Sequence, residues 1–124
     1  MPSRVVVVLD DVGFAVRTVE TLLAGDIDAL VLPNSMTTLD ALEASAKIEL
    51  LVTCPQFAAG PPHGVALALM ARQKRPGVRV LFVGPADLAS HTEGVGAFMA
   101  APVTVADVVN AAIQMLASEP SARR

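Results

Sequence analysis

The chain has 124 residues, a formal net charge of −3 and a hydrophobic fraction of 53%. That is one domain by size, with enough apolar residues for a sizeable core built from Ala, Val and Leu. With no Trp or Tyr, only four Phe and no basic stripe, it lacks what a nucleic-acid binder uses to stack on bases and neutralise phosphates.

Val5 to Leu9 is β-branched and apolar on both faces, as in a central strand of a covered parallel sheet. Asp10 and Asp11 end it, so the run is too short for a signal peptide or a membrane span. Val12, Val16, Val19 and Leu23 recur at helical spacing, and Gly25 is a stop signal. A second short strand, Ala29 to Leu32, ends at Pro33 and Asn34. Thr37 with Asp40 predicts a variant capping box opening a second helix through about Ser45. Leu50 to Thr53 is the third strand.

Gly60, Pro61, Pro62 and Gly64 mark a loop, followed by a helix over Val65 to Lys74 that Pro76 and Gly77 close. Val78 to Val83 is the fourth strand. Asp87 to Glu93 supports only a weak, short helix. Ala97, Phe98 and Met99 form a fifth strand. Thr104 and Asp107 cap a last helix with an apolar stripe of Val105, Val108, Val109, Ala112, Ile113 and Leu116. Residues 1–117 are expected to form the domain and 118–124, "SEPSARR", a loose polar tail.

Five β-α repeats require parallel pairing and right-handed crossovers, with helices on both faces. The expected architecture is a flavodoxin-like, doubly wound, five-stranded parallel sheet of order 2-1-3-4-5 with a shortened fourth helix. Such a sheet places its site at the carboxyl ends of the strands. Those ends carry Asp10, Asp11, Cys54, Gly84 and Ala101.

At these positions the chain resembles a response-regulator receiver domain, over about residues 4 to 117. "VVVVLDD" is similar to that family's first strand with its acidic pair, and "ELLVTC" to the third, which ends in the phosphoacceptor aspartate. "RPGVRVLFVG" resembles the approach to the fourth strand, which ends in Thr or Ser. "GAFMAAP" resembles the fifth, where Lys precedes Pro. Cys54 and Gly84 are 30 positions apart, as the family would have them. The 17 positions from Gly84 to Ala101 are fewer than the family uses.

The resemblance implies a known chemistry. An aspartate takes a phosphoryl group from a phosphohistidine, three acids hold Mg²⁺, and a hydroxyl and a lysine bind phosphoryl oxygens. Here Cys54 stands at the acceptor position, Gly84 at the hydroxyl position and Ala101 at the lysine position. Asp10, Asp11, Pro102 and the fifth-strand aromatic, Phe98 (the switch aromatic of the family), are kept. The resemblance therefore implies an atypical receiver that is not phosphorylated, is not an enzyme and works through protein contacts. The partners it implies are a histidine kinase, an output domain or a second copy of itself.

The same residues have other readings. A lone cysteine forms no internal disulfide, which fits a reducing, cytoplasmic setting. Cys54 beside two carboxylates is expected to be an unreactive thiol filling space under the loop. A cysteine-phosphatase loop would need Arg six residues on, where Gly60 stands. Asp10 and Asp11 have two readings: a solvated or helix-capping pair, or a weak Mg²⁺ site. His63 and His91 lack partners at ligand spacing, so both are expected to be exposed loop residues. No other cofactor is implied. The alternative function is a small flavodoxin-like enzyme or ligand-binding domain using Cys54 or Asp10 and Asp11 in an altered site.

Overall fold

The computed structural model describes residues 4–44, 47–55 and 64–117. The elements alternate as expected: β1 (Val5–Val8), α1 (Val12–Ala24), β2 (Ala29–Val31), α2 (Ser35–Ala44), β3 (Leu50–Thr53), α3 (Gly64–Lys74), β4 (Arg79–Gly84), a 3₁₀ segment (Ala86–Thr92), β5 (Ala97–Ala100) and α4 (Val105–Ala117). The five strands form one parallel sheet of order β2-β1-β3-β4-β5. The strand bounds differ from the expected ones by about one residue. The shift at β4 matters, because it brings Gly84 inside the strand, paired with Ala100.

Alternation along the strands feeds two cores. Val5, Val7, Leu50, Val52 and Leu81 face α1 and α4, where they meet Ala15, Leu22, Val108 and Ala112. Val6, Val8, Leu51, Val80 and Phe82 face α2 and α3, where they meet Leu39, Leu42, Leu67 and Ala71. Covering both faces explains why β1 and β3 read as unbroken apolar runs. At ~25 cal/mol per Å² of apolar area removed from water, these layers are the main stabilising term.

Three helix details correct the sequence expectations. On α1 the buried face is Ala15, Thr18, Val19 and Leu22, whereas Val12, Val16 and Leu23 are 63%, 39% and 48% exposed. The small Ala15 and Thr18 let the helix approach the sheet, and the Thr18 hydroxyl donates to Phe14 O at 2.8 Å, which makes its burial tolerable. On α2 the cap is Asn34, not Thr37. Thr37 N–H donates to Asn34 Oδ1 at 2.9 Å, so the helix opens at Ser35. On α4 the Thr104–Asp107 box forms reciprocally at 3.0 and 3.1 Å. Val108, Val109 and Ala112 are buried there, while Ile113 lies off the stripe and is 42% exposed.

The fourth helix is reduced to the 3₁₀ segment, as its length allowed. It is closed by the buried Thr92, whose hydroxyl donates to Ala89 O at 2.8 Å. With so little cover, β5 stays half-exposed. Below it, at the amino ends of β4 and β5, lies a gap of about 760 Å³. Its two arginines are engaged: Arg72 donates to Gly94 O and Val95 O, and Arg79 to Met115 O. Among the described residues no helix is long and apolar enough to cross a membrane. The expected tail at 118–124 lies outside the described residues.

Candidate functional site

In this strand order β1 and β3 are neighbours whose outgoing connections run to opposite sides of the sheet. The chain therefore leaves a crevice between their carboxyl ends. A cavity of about 530 Å³ opens there. Asp10, Asp11, Cys54, Gly84 and Ala101 all line it. The sequence placed these five together through topology alone, and the structure brings all five to one place. Phe98 does not join them. It is half-buried on β5, packed against the core on the α2–α3 side.

The acid side is built by the turn out of β1. Asp10 and Asp11 are both exposed. Asp11 is the N-cap of α1, its Oδ1 accepting from Phe14 N–H at 3.0 Å. The capping reading of that residue is thus observed.

The floor is Cys54, half-buried just past β3. Burial pushes its thiol up to about 11 from an ordinary 9.0; the backbone N–H of Asp10 works against this, and the Asp10 carboxylate adds to it. The rise was expected from the neighbouring acids and partial burial together, and withdrawal from water is the larger cause. Cys54 and Pro55 meet the start of α3 closely. A side chain on Gly64 would overlap the Cys54 carbonyl oxygen, and Val65 N–H donates to Pro55 O at 3.4 Å.

The opposite side comes from β4 and β5. Gly84 is buried, and a Cβ there would sit 2.8 Å from Pro55 Cδ. The missing hydroxyl is therefore not an empty place, because the Pro55 ring stands against it. Ala101 N–H donates to Gly84 O at 2.7 Å, and the Ala101–Pro102 peptide is cis. Ala101 itself is exposed. The remaining walls are apolar: Leu9, Phe14, Val83, Pro85, Leu88, Pro102 and Val103.

Sequence reasoning missed two parts of this site. Pro55 had a local signal, standing directly after the acceptor position. Leu88 and Val103 had none, since only the fold brings the 3₁₀ segment and the β5–α4 connection over the crevice. Of the two histidines, His91 is exposed in the 3₁₀ segment, and His63 lies outside the described residues.

The donor set does not suit a tightly held Mg²⁺ ion. That ion demands near-octahedral oxygen ligation. The cavity offers two carboxylates, one of them capping a helix, and a thiol that stays protonated at neutral pH. Among the described residues no group of three or more His, Cys, Asp or Glu could hold a metal.

No protein-family model and no curated protein matches the chain. Solved structures do. A response regulator receiver protein from Sinorhizobium medicae WSM419 superposes with a TM-score of 0.74 at 23% identity, over 92% of this chain and 94% of that one. A response regulator receiver protein from Pseudomonas putida gives 0.76 at 21%, over 92% and 98%. A CheY-like receiver domain protein from Methanospirillum hungatei JF-1 gives 0.78 at 18%, over 94% of each. The chain thus has the fold of CheY-like receiver domains along nearly its whole length.

Proposed function

We propose that this protein is a receiver-like signalling module that works without phosphorylation, through contact with other proteins. The observation that carries this is the composition of the cavity. The fold is that of receiver domains, yet the acceptor position holds a protonated, half-buried thiol, the hydroxyl position a glycine blocked by Pro55, and the lysine position an alanine. Phosphoryl transfer in such a site is positioning plus charge neutralisation. Here the acceptor position offers no carboxylate to form an acyl phosphate, and Ala101 supplies no cation to offset the phosphoryl charge.

A role in protein contact is supported by the exposed apolar residues Val12, Val16 and Leu23 on α1. The partners that fit are a histidine kinase, an output domain, or a second copy forming a homodimer. A solution within the cytoplasm and no catalysis of its own belong to the same proposal.

The test is intact-mass measurement after incubation with acetyl phosphate and Mg²⁺. No gain in mass is expected. Stoichiometric addition of a phosphoryl group would overturn the proposal.

A further inference from the structure

Two features that the cavity does not use meet at one edge of the molecule. The first is β2, which ends the sheet and is bonded to β1 alone among the strands. Val5 N–H donates to Asp28 O at 3.2 Å, and Leu32 N–H to Val7 O at 3.0 Å. Backbone groups alternate in direction along a strand. Asp28, Leu30 and Leu32 therefore turn theirs towards β1, and Ala29 and Val31 turn theirs outward. Ala29–Val31 carries no charge and no proline, the residues that commonly blunt an open edge. Its middle residue, Leu30, is 43% exposed.

The second feature is the exposed stripe of Val12, Val16 and Leu23 on α1. At 3.6 residues per turn these three fall on one flank of the buried face, and Phe14 falls on the opposite flank. Phe14 lines the cavity with Pro102 and Val103, where the chain enters α4. α4 in turn packs over β3. The stripe consequently faces away from α4 and lies along the β2 edge. The other edge strand, β5, has no comparable flank: among the described residues of α4, Ile113 is the one exposed large apolar side chain.

We propose that this edge is the interface of a homodimer, in which β2 pairs antiparallel with β2 of a second copy and α1 packs against α1. The proposal deepens the contact role given above by naming one partner and one face, and rests on that reading for α1 as a contact surface. Both features fit their own copy. A two-fold axis through Leu30 sets Ala29 of each chain opposite Val31 of the other, and the outward backbone groups of those pairs satisfy one another. Leu30 then meets Leu30 of the second copy at a non-hydrogen-bonded position, where side chains come closest. Asp28 comes opposite Leu32, so the acids that precede β2, Asp26 and Asp28, stand at opposite ends of the joined ladder instead of facing their copies. α1 packs on both β1 and β2, about one strand spacing from the axis. The two α1 helices therefore come about 10 Å apart, which is contact distance for helices. Their facing flanks are uncharged, with the exposed Arg17 and Glu20 turned to the solvent side. The footprint is about 17 Å along α1 and about 20 Å through one helix and the sheet, which puts the contact at the lower end of specific interfaces and suits a weak dimer.

The experiment is sedimentation velocity on the full chain over a wide concentration range, with cross-linking to read the register. Reversible dimerisation is expected. Leu30→Lys and Val16→Glu, both at exposed positions, should each weaken it by at least about tenfold. At dilutions where the native chain is monomeric, their unfolding midpoints should match its own, which separates a lost interface from a lost fold. Leu30→Cys should form a disulfide with its copy under mild oxidation, because paired strands bring these positions within disulfide reach. Ile113→Cys, exposed on α4, should not. A chain that stays monomeric, a dimer indifferent to both charged variants, or equal cross-linking of the two cysteine variants would overturn the proposal. So would a different protein captured at this edge by a monomer. A monomer that gains no phosphoryl mass would overturn this inference alone, whereas phosphoryl gain by an edge-paired dimer would overturn only the phosphorylation-independent reading.

Discussion

The two sides of the cavity are built on different principles. On the β1 side the acidic pair is kept and held by local geometry, with Asp11 tied to the first turn of α1. On the β4–β5 side the described lining carries no polar side chain, and the space is packed, with Pro55 against Gly84 and Leu88 and Val103 in the wall. On the first side a carboxylate is fixed by a backbone hydrogen bond of the helix it caps. On the second side no such bond is made by a side chain, and the contact of the Pro55 ring with Gly84 shapes the wall.

That contrast can be broken most severely from below. Pro55 is held by the close meeting of Cys54 and Gly64, so Gly64→Ala should push the start of α3 away from β3. A loss of at least about 3 kcal/mol is expected in chemical denaturation, or failure to fold. A loss under about 1 kcal/mol would mean that the two segments separate easily.

Placing a polar group on the β4–β5 side, one position at a time, sharpens the comparison. Gly84→Thr forces a Cβ against the Pro55 ring and should cost about 1–3 kcal/mol. Ala101→Lys, at an exposed site, should change stability by less than about 0.5 kcal/mol. Equal effects would show that Pro55 does not hold the β4 side closed.

The floor is probed by thiol labelling. A value near 11 rather than 9.0 lowers the thiolate fraction at neutral pH about a hundredfold, and the higher basicity returns about tenfold in nucleophilicity. Native Cys54 should then react with a disulfide reagent about tenfold more slowly than in the unfolded chain. The sign for stability follows. The folded state keeps the proton where the unfolded state has lost it, so the contribution is whole below about pH 9 and fades as pH rises towards 11. Cys54→Ser should lack that alkaline decline. Rapid native labelling, or a decline that persists in Cys54→Ser, would place the thiol in a different setting.

The smallest effect separates the two acids. Asp11→Ala removes the cap on α1 and should cost about 1 kcal/mol, whereas Asp10→Ala should stay within about 0.5 kcal/mol. The same loss in both, read from unfolding midpoints, would mean that the cap does not distinguish them.

Much of this molecule was legible in its sequence for reasons of pattern. Unbroken β-branched runs at Val5–Val8 and Leu50–Thr53 need cover on both faces, and β-α alternation leaves few topologies that supply it. The fold, the strand order and the gathering of Asp10, Asp11, Cys54, Gly84 and Ala101 at one end follow from that. So does the Thr104–Asp107 cap, whose two partners are three residues apart. The tertiary structure decided what depends on neighbours remote in the chain. Hydropathy marked Val12, Val16 and Leu23 for the core of α1, but close packing on the sheet chose Ala15 and Thr18, because small side chains bring a helix nearer. Asn34 rather than Thr37 opens α2, because capping depends on where the backbone leaves β2. The glycine at 84 reads as a simple loss until Pro55 is seen standing against it, since excluded volume between distant segments leaves no mark on local composition.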